Sequence, residues 1–507
     1  MSPVSPTETE LKLAVARGDL ALLKRRLGLL GKSRATPVDS VYYDTNESLL
    51  ARNGMGLRLR QIGRRWVQTL KTGDARGAFS TRGEWEVAAP DRKLDAARLK
   101  ATPLDALLAA NGTPLLQPRF RTRFARTTWQ HERDGATIEV ALDDGEVVAG
   151  GGSRREPILE IELELKAGEA GALFALALEL AGGGRRRPLA LVPLAESKAA
   201  RGERLAAERG LAPVKANAAG FAACLEPRLH AGDALRAVIA HGTDVVLVNA
   251  RLAAAGDEPE FVHQARVALR RIRSAIRLLD RDGDFEAKLE SELRWIAREL
   301  GAARDADVLA LQTLPALLQK LAPPFESRTQ DVDRLLARAG KRRERARGRV
   351  LDSLAGARFA SLALRLLRWS ASSATDKGSR LTDLAPRALD KAARRVFDEA
   401  RFFAALPRPR QHRVRILGKR LRYALDLLAV TLPAKTATAY SERLSELQDA
   451  LGELNDAAVA SAALARLTRS PALLAAASEL LSRRENEQIV AVEAQLQLLA
   501  DMQAPWK

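Results

Sequence analysis

Two fold classes are predicted in succession along the 507-residue chain: an α+β region carrying an antiparallel sheet, then an all-α region. Three observations predict them. Up to about Lys198, charged and apolar residues alternate with period two in short segments broken by glycine and proline, the pattern of half-buried strands. Beyond the stretch 211–220, which contains Pro213, alanine, leucine and arginine recur at helical spacing almost to the end. Within that second part the text repeats itself. His263, Arg266, Arg270, Arg271 and Arg273 return 149 positions later as His412, Arg415, Lys419, Arg420 and Arg422. Leu300, Gly301, Asp305 and Val308 return 151 positions later as Leu451, Gly452, Asp456 and Val459, so two related helical subdomains are expected.

Strands are predicted over 7–15, 56–62, 66–72, 82–87, 121–131, 136–148 and 158–166, with helical patterns over 20–30, 94–110 and 170–180. In the second part, proline, serine and glycine mark loops at 321–329, 370–380 and 406–410. The predicted division is a domain at 1–210, a linker at 211–220 and a helical domain at 221–507, its repeats covering about 221–375 and 376–507.

A formal charge of +19 predicts attraction to a polyanion: nucleic acid, anionic lipid or a phosphate polymer. Residues 1–210 hold 34 basic and 27 acidic side chains, or +7, which leaves +12 for the rest, so both parts are basic. Aromatic residues are only 4%, too few to serve as stacking platforms, which argues against single-stranded nucleic acid as the main ligand. The lone Cys224 excludes an intrachain disulfide and a cysteine-rich zinc site, and fits a reducing cytoplasm. Glu8 and Glu10 stand where a secretory signal needs an apolar run, and no uncharged apolar stretch approaches membrane-spanning length, so a soluble chain without a membrane partner is expected.

Residues two apart in a strand share a face, so Glu8, Glu10 and Lys12 line up against Thr9, Leu11 and Leu13. Arg58 and Arg60 alternate with Leu57 and Leu59, Glu84 and Glu86 flank Trp85, and Glu160, Glu162 and Glu164 alternate with Ile161, Leu163 and Leu165. A solvated sheet face usually mixes lysine, threonine, serine and glutamine. Here some strands offer carboxylate clusters and others guanidinium pairs, an arrangement suited to a phosphate chain held between cations and metal-binding acids. Glutamates supply the oxygen shell that Mg2+ or Mn2+ prefers, and arginines clamp the remaining phosphate oxygens. If the sheet closes, its lumen is polar and its apolar outer face is covered by helices, the inverse of a packed small barrel.

In the helical part, His263, Arg266, Arg270, Arg273 and Arg277 fall on one stripe, opposite Leu269, Ile272, Ile276 and Leu279. His412, Arg415, Lys419 and Arg422 repeat the stripe, with Leu417, Leu421, Leu425 and Leu428 on the apolar side. One such helix is ordinarily a solvated amphipathic face. Two of them, free of acids at these positions, are expected to face one another and line a cationic groove. The basic runs 341–349 and 394–401 read as solvated helix faces.

Glu8-Thr9-Glu10-Leu11-Lys12 matches the ExExK signature of the CYTH superfamily, the triphosphate tunnel metalloenzymes. Tyr42 to Thr45, Gly56 to Arg60, Thr69 to Lys71, Glu84 to Glu86, Ile138 to Asp143, Glu160 to Glu164 and Ser197 to Gly202 resemble further family blocks in family order, over most of residues 7–205. The resemblance implies an eight-stranded antiparallel β-barrel, or tunnel, with peripheral helices. It implies divalent metal on Glu8, Glu10, Asp143, Glu160 and Glu162, and triphosphate on Arg58, Arg60, Lys71, Glu84, Glu86, Arg126 and Lys198. Lys12 and Tyr42 match positions that activate water.

The spacing HxxRxxxRRxR, with Leu-Gly-x-x-Arg-Asp-x-Asp-Val at Leu300 to Val308, resembles the CHAD domain, a duplicated helical-bundle module that binds polyphosphate. This implies a polyphosphate site on His263, Arg266, Arg270, Arg271, Arg273, Arg277, His412, Arg415, Lys419, Arg420 and Arg422. Two positions depart from the repeat: Asp426 stands at the place of Arg277, and Ala458 at that of Asp307. The expected function is metal-dependent hydrolysis of tripolyphosphate, with the CHAD domain binding inorganic polyphosphate or polyphosphate granules, and nucleic acid only non-specifically. The alternatives are an adenylate cyclase or nucleoside triphosphatase on the same fold, and a non-enzymatic polyphosphate or nucleic-acid binder.

Overall fold

The computed structural model describes residues 7–73, 77–182, 187–280, 283–321, 329–372 and 378–507. The chain divides into two compact units. The first holds Met1–Val214 together with Leu247–Gly256 and Leu354–Ser372; the second holds Lys215–Val246, Asp257–Ser353 and Ser373–Lys507.

The first unit is built on nine strands: β1 (Thr7–Ala14), β2 (Ser33–Asp44), β3 (Met55–Ile62), β4 (Arg65–Thr72), β5 (Phe79–Ala88), β6 (Gln117–Arg133), β7 (Ala136–Ala149), β8 (Arg154–Ala167) and the short β9 (Val192–Pro193). Their order is β5-β4-β3-β2-β6-β7-β8-β1-β9, and β1 also pairs with β5, which closes the first eight into an antiparallel barrel. All seven predicted strands are present. Strand β2 had not been predicted, because Pro37 interrupts it and Ser, Thr and Asp occupy both of its faces. It nonetheless pairs with β3 and with β6 along most of its length.

Helices α1 (Leu20–Leu27), α2 (Leu49–Arg52), α3 (Pro103–Ala110), α4 (Gly171–Ala181) and α5 (Lys198–Ala206) surround the barrel. The inverted layering expected of a polar lumen is present. Leu11, Leu13, Ile161 and Leu163 are fully buried on the outer face, where α4 brings Leu173, Phe174 and Ala177 against β1 and β8. Burying a leucine this way contributes about 1.5–3 kcal/mol. A second outer cluster joins Leu50, Leu57, Leu70, Leu99, Leu104 and Leu108. One end of the lumen is apolar: Val38, Tyr42, Phe120, Phe124, Val147 and Ile158 cluster there with Ala199, Leu205 and Ala206 of α5. A side chain at Gly202 would collide with the Phe120 ring, so glycine sets how closely α5 approaches β6.

The remaining helices are α6 (Ala218–Ala222), α7 (Ala231–Ala255), α8 (Pro259–Leu279), α9 (Ala287–Val308), α10 (Leu314–Lys320), α11 (Thr329–Ala355), α12 (Ala357–Ser370), α13 (Leu381–Ala400), α14 (Arg408–Leu428), α15 (Ala434–Leu467) and α16 (Pro471–Asp501). Helix α6 begins inside the predicted linker. Most of the predicted loop 321–329, and 373–377 of the loop 370–380, lie outside the described residues. The predicted loop 406–410 shrinks to Leu406 and Pro407, because Pro409 lies in the first turn of α14, where a missing N–H costs no hydrogen bond. Helix α7 is long and apolar enough to cross a bilayer by composition, yet 61% of its most apolar window is buried within the fold.

In the second unit, Leu309, Leu314, Leu317 and Leu335 pack with Ala457, Ala460, Leu464, Leu473 and Ala477. The apolar sides of the two repeated helices are buried as their spacing predicts: Leu269, Ile272, Ile276 and Leu279 on α8, and Leu421, Leu425 and Leu428 on α14. Leu417 is half-buried.

A charged barrel lumen and a cationic helix pair as candidate functional sites

Antiparallel register decides which charges meet inside the barrel. Arg126 on β6 is paired with Asp143 on β7, which is paired with Glu160 on β8, and Lys12 on β1 is paired with Glu162. Tyr42 and Arg58 are partners across β2 and β3, and Lys71 and Glu84 across β4 and β5. Lys12, Tyr42, Arg58, Lys71, Glu84, Arg126 and Glu162 line one cavity of about 450 Å³, whose wall also includes Glu8, Glu10, Arg60, Glu86 and Lys198; Asp143 and Glu160 are buried against Lys198 of that wall.

Carboxylate oxygens of Asp143, Glu160 and Glu162 all lie within 4.8 Å of one another. Asp143 and Glu160 are almost wholly withdrawn from solvent, at 0% and 1% exposure, so their charges need partners. Lys198, the first residue of α5, supplies one: its Nζ lies 2.7 Å from Asp143 and 2.8 Å from Glu162, and it also contacts Glu160. Burial alone would lower the Lys198 ammonium, but the three acids raise it. Arg126 donates through Nε and Nη2 to Asp143, at 2.8 and 2.7 Å, and also to Glu162. Arg201 reaches Glu160 from α5 at 3.1 Å.

A second acid group lies on β1. Lys71 Nζ is 2.5 Å from Glu8 and 3.4 Å from Glu84, while Lys12 Nζ is 2.5 Å from Glu10. Arg82 contacts Glu10 and approaches Glu8 at 3.9 Å. Burial would raise the Glu8 carboxyl, yet Lys71 and Arg82 hold it at about 2. Burial pushes the Lys12 ammonium down to about 8, with Lys71 and Lys198 repelling it and Glu162 and Glu160 opposing. Arg58 donates to the Tyr42 hydroxyl at 3.4 Å and lies 3.5 Å from Glu84. Against its burial, Arg58 and Arg60 draw the Tyr42 phenol below its ordinary value. Arg60, buried beside Arg58 and Arg126, falls to about 10 and donates to Ser40 at 3.2 Å. Glu86 accepts from Thr69 at 3.4 Å.

The lumenal residues named from the sequence are thus brought together, all but Asp143 and Glu160 on the cavity wall itself and those two against Lys198. Arg82 and Arg201 were missed. Arg82 shares the period-two face of Glu84 and Glu86, so alternation alone pointed to it. Arg201 follows Lys198 by three residues, a signal readable only once that segment is known to be a helix. His131 lies half-exposed on β6 and outside this cavity.

Three hard carboxylates at this separation, with further acids across the cavity, fit a divalent cation that prefers oxygen ligands, and the Nε of Arg58 is buried without a hydrogen-bond partner. Asp143, Glu160 and Glu162 would hold such a cation. The cations around them would hold anionic oxygens.

In the second unit, α8 packs against α14 and their stripes meet. Burial lowers the Lys419 ammonium to about 7, reinforced by Arg415 on its own helix and by Arg270 and Arg266 on the other. The His263 imidazole is held down to about 4 by burial and by Arg304. His263 Nδ1 and the Nε atoms of Arg270, Arg273 and Arg415 are buried without hydrogen-bond partners among the described residues. Arg266 and Arg415 are lowered by burial and by Arg270. Arg277 and Arg420 are exposed farther along, Arg422 donates to Gln448 at 3.4 Å, and His412 Nδ1 is 3.1 Å from Asn455 Oδ1.

The two stripes carry no acids at the repeated positions, but neighbouring helices bring acids to them: Asp305 on α9 lies 3.8 Å from Arg266, and Asp456 on α15 acts on Arg415 and Lys419. Both aspartates belong to the second repeated block. Arg271, which the resemblance includes in the polyphosphate site, lies off the stripe and is engaged within the fold: its Nε donates to the Ala216 carbonyl at 2.8 Å, its Nη2 lies 2.9 Å from Asp426, and its guanidinium stacks over Phe221 and Tyr423. Asp426 thus replaces a groove cation with an internal partner. Gly301 lies beside Arg266, whose guanidinium would have to shift to admit a methyl group there. Asp307 is paired with Arg343 at 2.8 Å, which ties part of the basic run 341–349 into the fold.

A closed antiparallel barrel with a metal-capable acid cluster ringed by cations, in a chain that also carries a duplicated polycationic helix pair, defines a two-part protein with a charged barrel lumen. Residues 6–182 match the CYTH domain and residues 237–465 the CHAD domain: the chain is a CYTH domain followed by a CHAD domain. It is 37% identical over 138 residues to the inorganic triphosphatase of Haemophilus influenzae. That match spans 27% of this chain and 38% of the relative's length. Among solved structures, the CHAD domain of Ricinus communis is 26% identical, with a TM-score of 0.48 over 58% of this chain and 99% of that one. A Hippeastrum protein, described as an adenylyl cyclase candidate with dominant triphosphatase activity, is 17% identical, with a TM-score of 0.26 over 34% of this chain and 85% of that one.

Proposed function

We propose that the chain hydrolyses inorganic triphosphate in the barrel lumen with Mg2+ or Mn2+, and that its helical unit binds inorganic polyphosphate, holding the enzyme to polymer or granules in the cytoplasm. The observation that carries the first part is the meeting of Asp143, Glu160 and Glu162 within 4.8 Å in a lumen that also presents Arg58, Arg60, Lys71 and Arg126. Acids for a cation adjoin the cations for phosphate.

When bound, the metal supplies charge neutralisation at the phosphate oxygens. Arg58, Arg60 and Arg126 grip the remaining oxygens and stabilise charge on the transferring phosphoryl group. Lys12, held near pH 8 by burial, accepts the proton of the attacking water, with the Tyr42 hydroxyl orienting that water. Partial closure of the lumen by α5 limits competing solvent.

The proposal for the helical unit is supported by the buried Nε atoms of Arg270, Arg273 and Arg415, which have no hydrogen-bond partner among the described residues, and by the lowered Lys419, the marks of cations crowded in excess of the acids beside them. The test for the lumen is orthophosphate release from tripolyphosphate with Mg2+, with Mn2+ and with chelator, on wild type and Glu162→Gln. No release, or release indifferent to both metal and substitution, removes the enzymatic reading. Product analysis with ATP on the same preparations tells a triphosphatase from a cyclase.

A further inference from the structure

We infer that Arg34 and Arg65 form an outer phosphate subsite at the hairpin end of the lumen, so that the barrel takes linear polyphosphates longer than three units. The inference rests on the reading of the lumen as a triphosphate site.

The barrel has two unlike ends. At one, α5 packs on the apolar cluster around Phe120 and Phe124. At the other, the β3–β4 turn and the β6–β7 turn come together, with the start of β2 beside them. Arg34 and Arg65 line the cavity there.

Register fixes how far out they sit. Thr36 is the cross-strand partner of Arg126, and Arg34 lies two residues farther along β2. Arg65 is the partner of Ile62, which lies two residues beyond Arg60 on β3. Two residues of strand span roughly 7 Å. Both arginines therefore stand one step outward from an inner cation, on the same wall.

Their surroundings separate them from structural arginines. Arg126, Arg82 and Arg58 are engaged by lumenal acids, whereas Arg34 and Arg65 make no ion pair among the described residues and are exposed. On the facing wall, Glu164 is held by Lys166 at 2.5 Å and Glu139 accepts from Gln130 at 3.0 Å, which blunts their repulsion of an incoming anion. A chain anchored by the inner cations and extending toward the open end passes these two guanidinium groups.

The test compares tripolyphosphate with linear tetrapolyphosphate as substrates of the full-length chain, wild type and the Arg34→Gln/Arg65→Gln double variant. The expected result is hydrolysis of both by wild type, and a roughly tenfold fall in the variant's tetra-to-tri ratio of kcat/KM at low salt, shrinking as salt screens the exposed charges. An active wild type whose ratio is unchanged in the variant overturns the outer subsite alone, as does a wild type that cleaves tripolyphosphate but not tetrapolyphosphate. A wild type inactive on both substrates overturns the triphosphate reading, and the subsite with it.

Discussion

Lys198 Nζ lies 2.7 Å from Asp143 Oδ2, and the same ammonium touches Glu160 and Glu162. A lysine at the head of α5 therefore sits among the acids best placed to hold a divalent cation. It neutralises them, and would compete with a divalent cation for them. Replacing Lys198 with methionine is predicted to raise Mn2+ affinity at least several-fold, while kcat/KM for tripolyphosphate falls by about two orders of magnitude with the loss of a phosphate-facing charge. Calorimetry and a phosphate-release assay read the two effects separately. Weaker Mn2+ binding would contradict this account.

Lys12 provides the pH signature. Its ammonium is held at about 8, below an ordinary lysine, chiefly by burial. A base works only when deprotonated, so kcat/KM should climb about tenfold per pH unit below 8 and level off above it. Lys12→Arg, which stays protonated throughout, should abolish the climb along with nearly all activity. A flat wild-type profile from pH 6 to 8 would exclude Lys12 as the base.

The Arg271–Asp426 pair is a matter of stability. Side-chain exposures of 11% and 7% leave little water to replace a lost partner. Asp426→Ala strands a guanidinium, at an expected cost on the order of 3 kcal/mol by urea unfolding of the helical transition. The double variant Arg271→Met/Asp426→Leu should recover much of that loss, since paired removal leaves no uncompensated charge. Equal losses in the single and double variants would rule out a coupled pair.

Lys419 is predicted to make polyphosphate binding by the helical unit depend on pH. In the free protein it is held at about 7 by burial and by Arg415, Arg270 and Arg266, against Asp456. A bound polyanion favours the protonated form, so the bound state holds more protons than the free state above pH 7, and affinity must fall as pH rises from about 6.5 to 8.5. Titrating polyphosphate of defined length across that range measures the slope. Lys419→Met should bind more weakly at pH 6.5 and flatten the dependence; an unchanged slope would remove Lys419 from the site.

Much of the lumen was legible because strand alternation is local. Glu8, Glu10 and Lys12 share a face whatever their neighbours do, and so do Glu160 and Glu162. The duplicated stripes were legible for the same reason, since helical spacing alone places Arg266 beside Arg270. Strand β2 was missed because Pro37 and its scattered polar residues hide the alternation, and its pairing on both sides outweighs its weak intrinsic preference. The partner of Arg271 was not legible, because a residue beside a stripe turns toward whatever partner the neighbouring helix offers, and here that is Asp426.

By itself the sequence determined the order of the two regions, which face of each strand and helix carries charge, and that both parts attract anions. The tertiary structure decided which cation meets which acid. Lys71 reaches Glu8 across 63 residues of chain, and that meeting follows from barrel closure and register. These are set by pairing between distant strands, where a shift of one residue would turn the whole charged face outward.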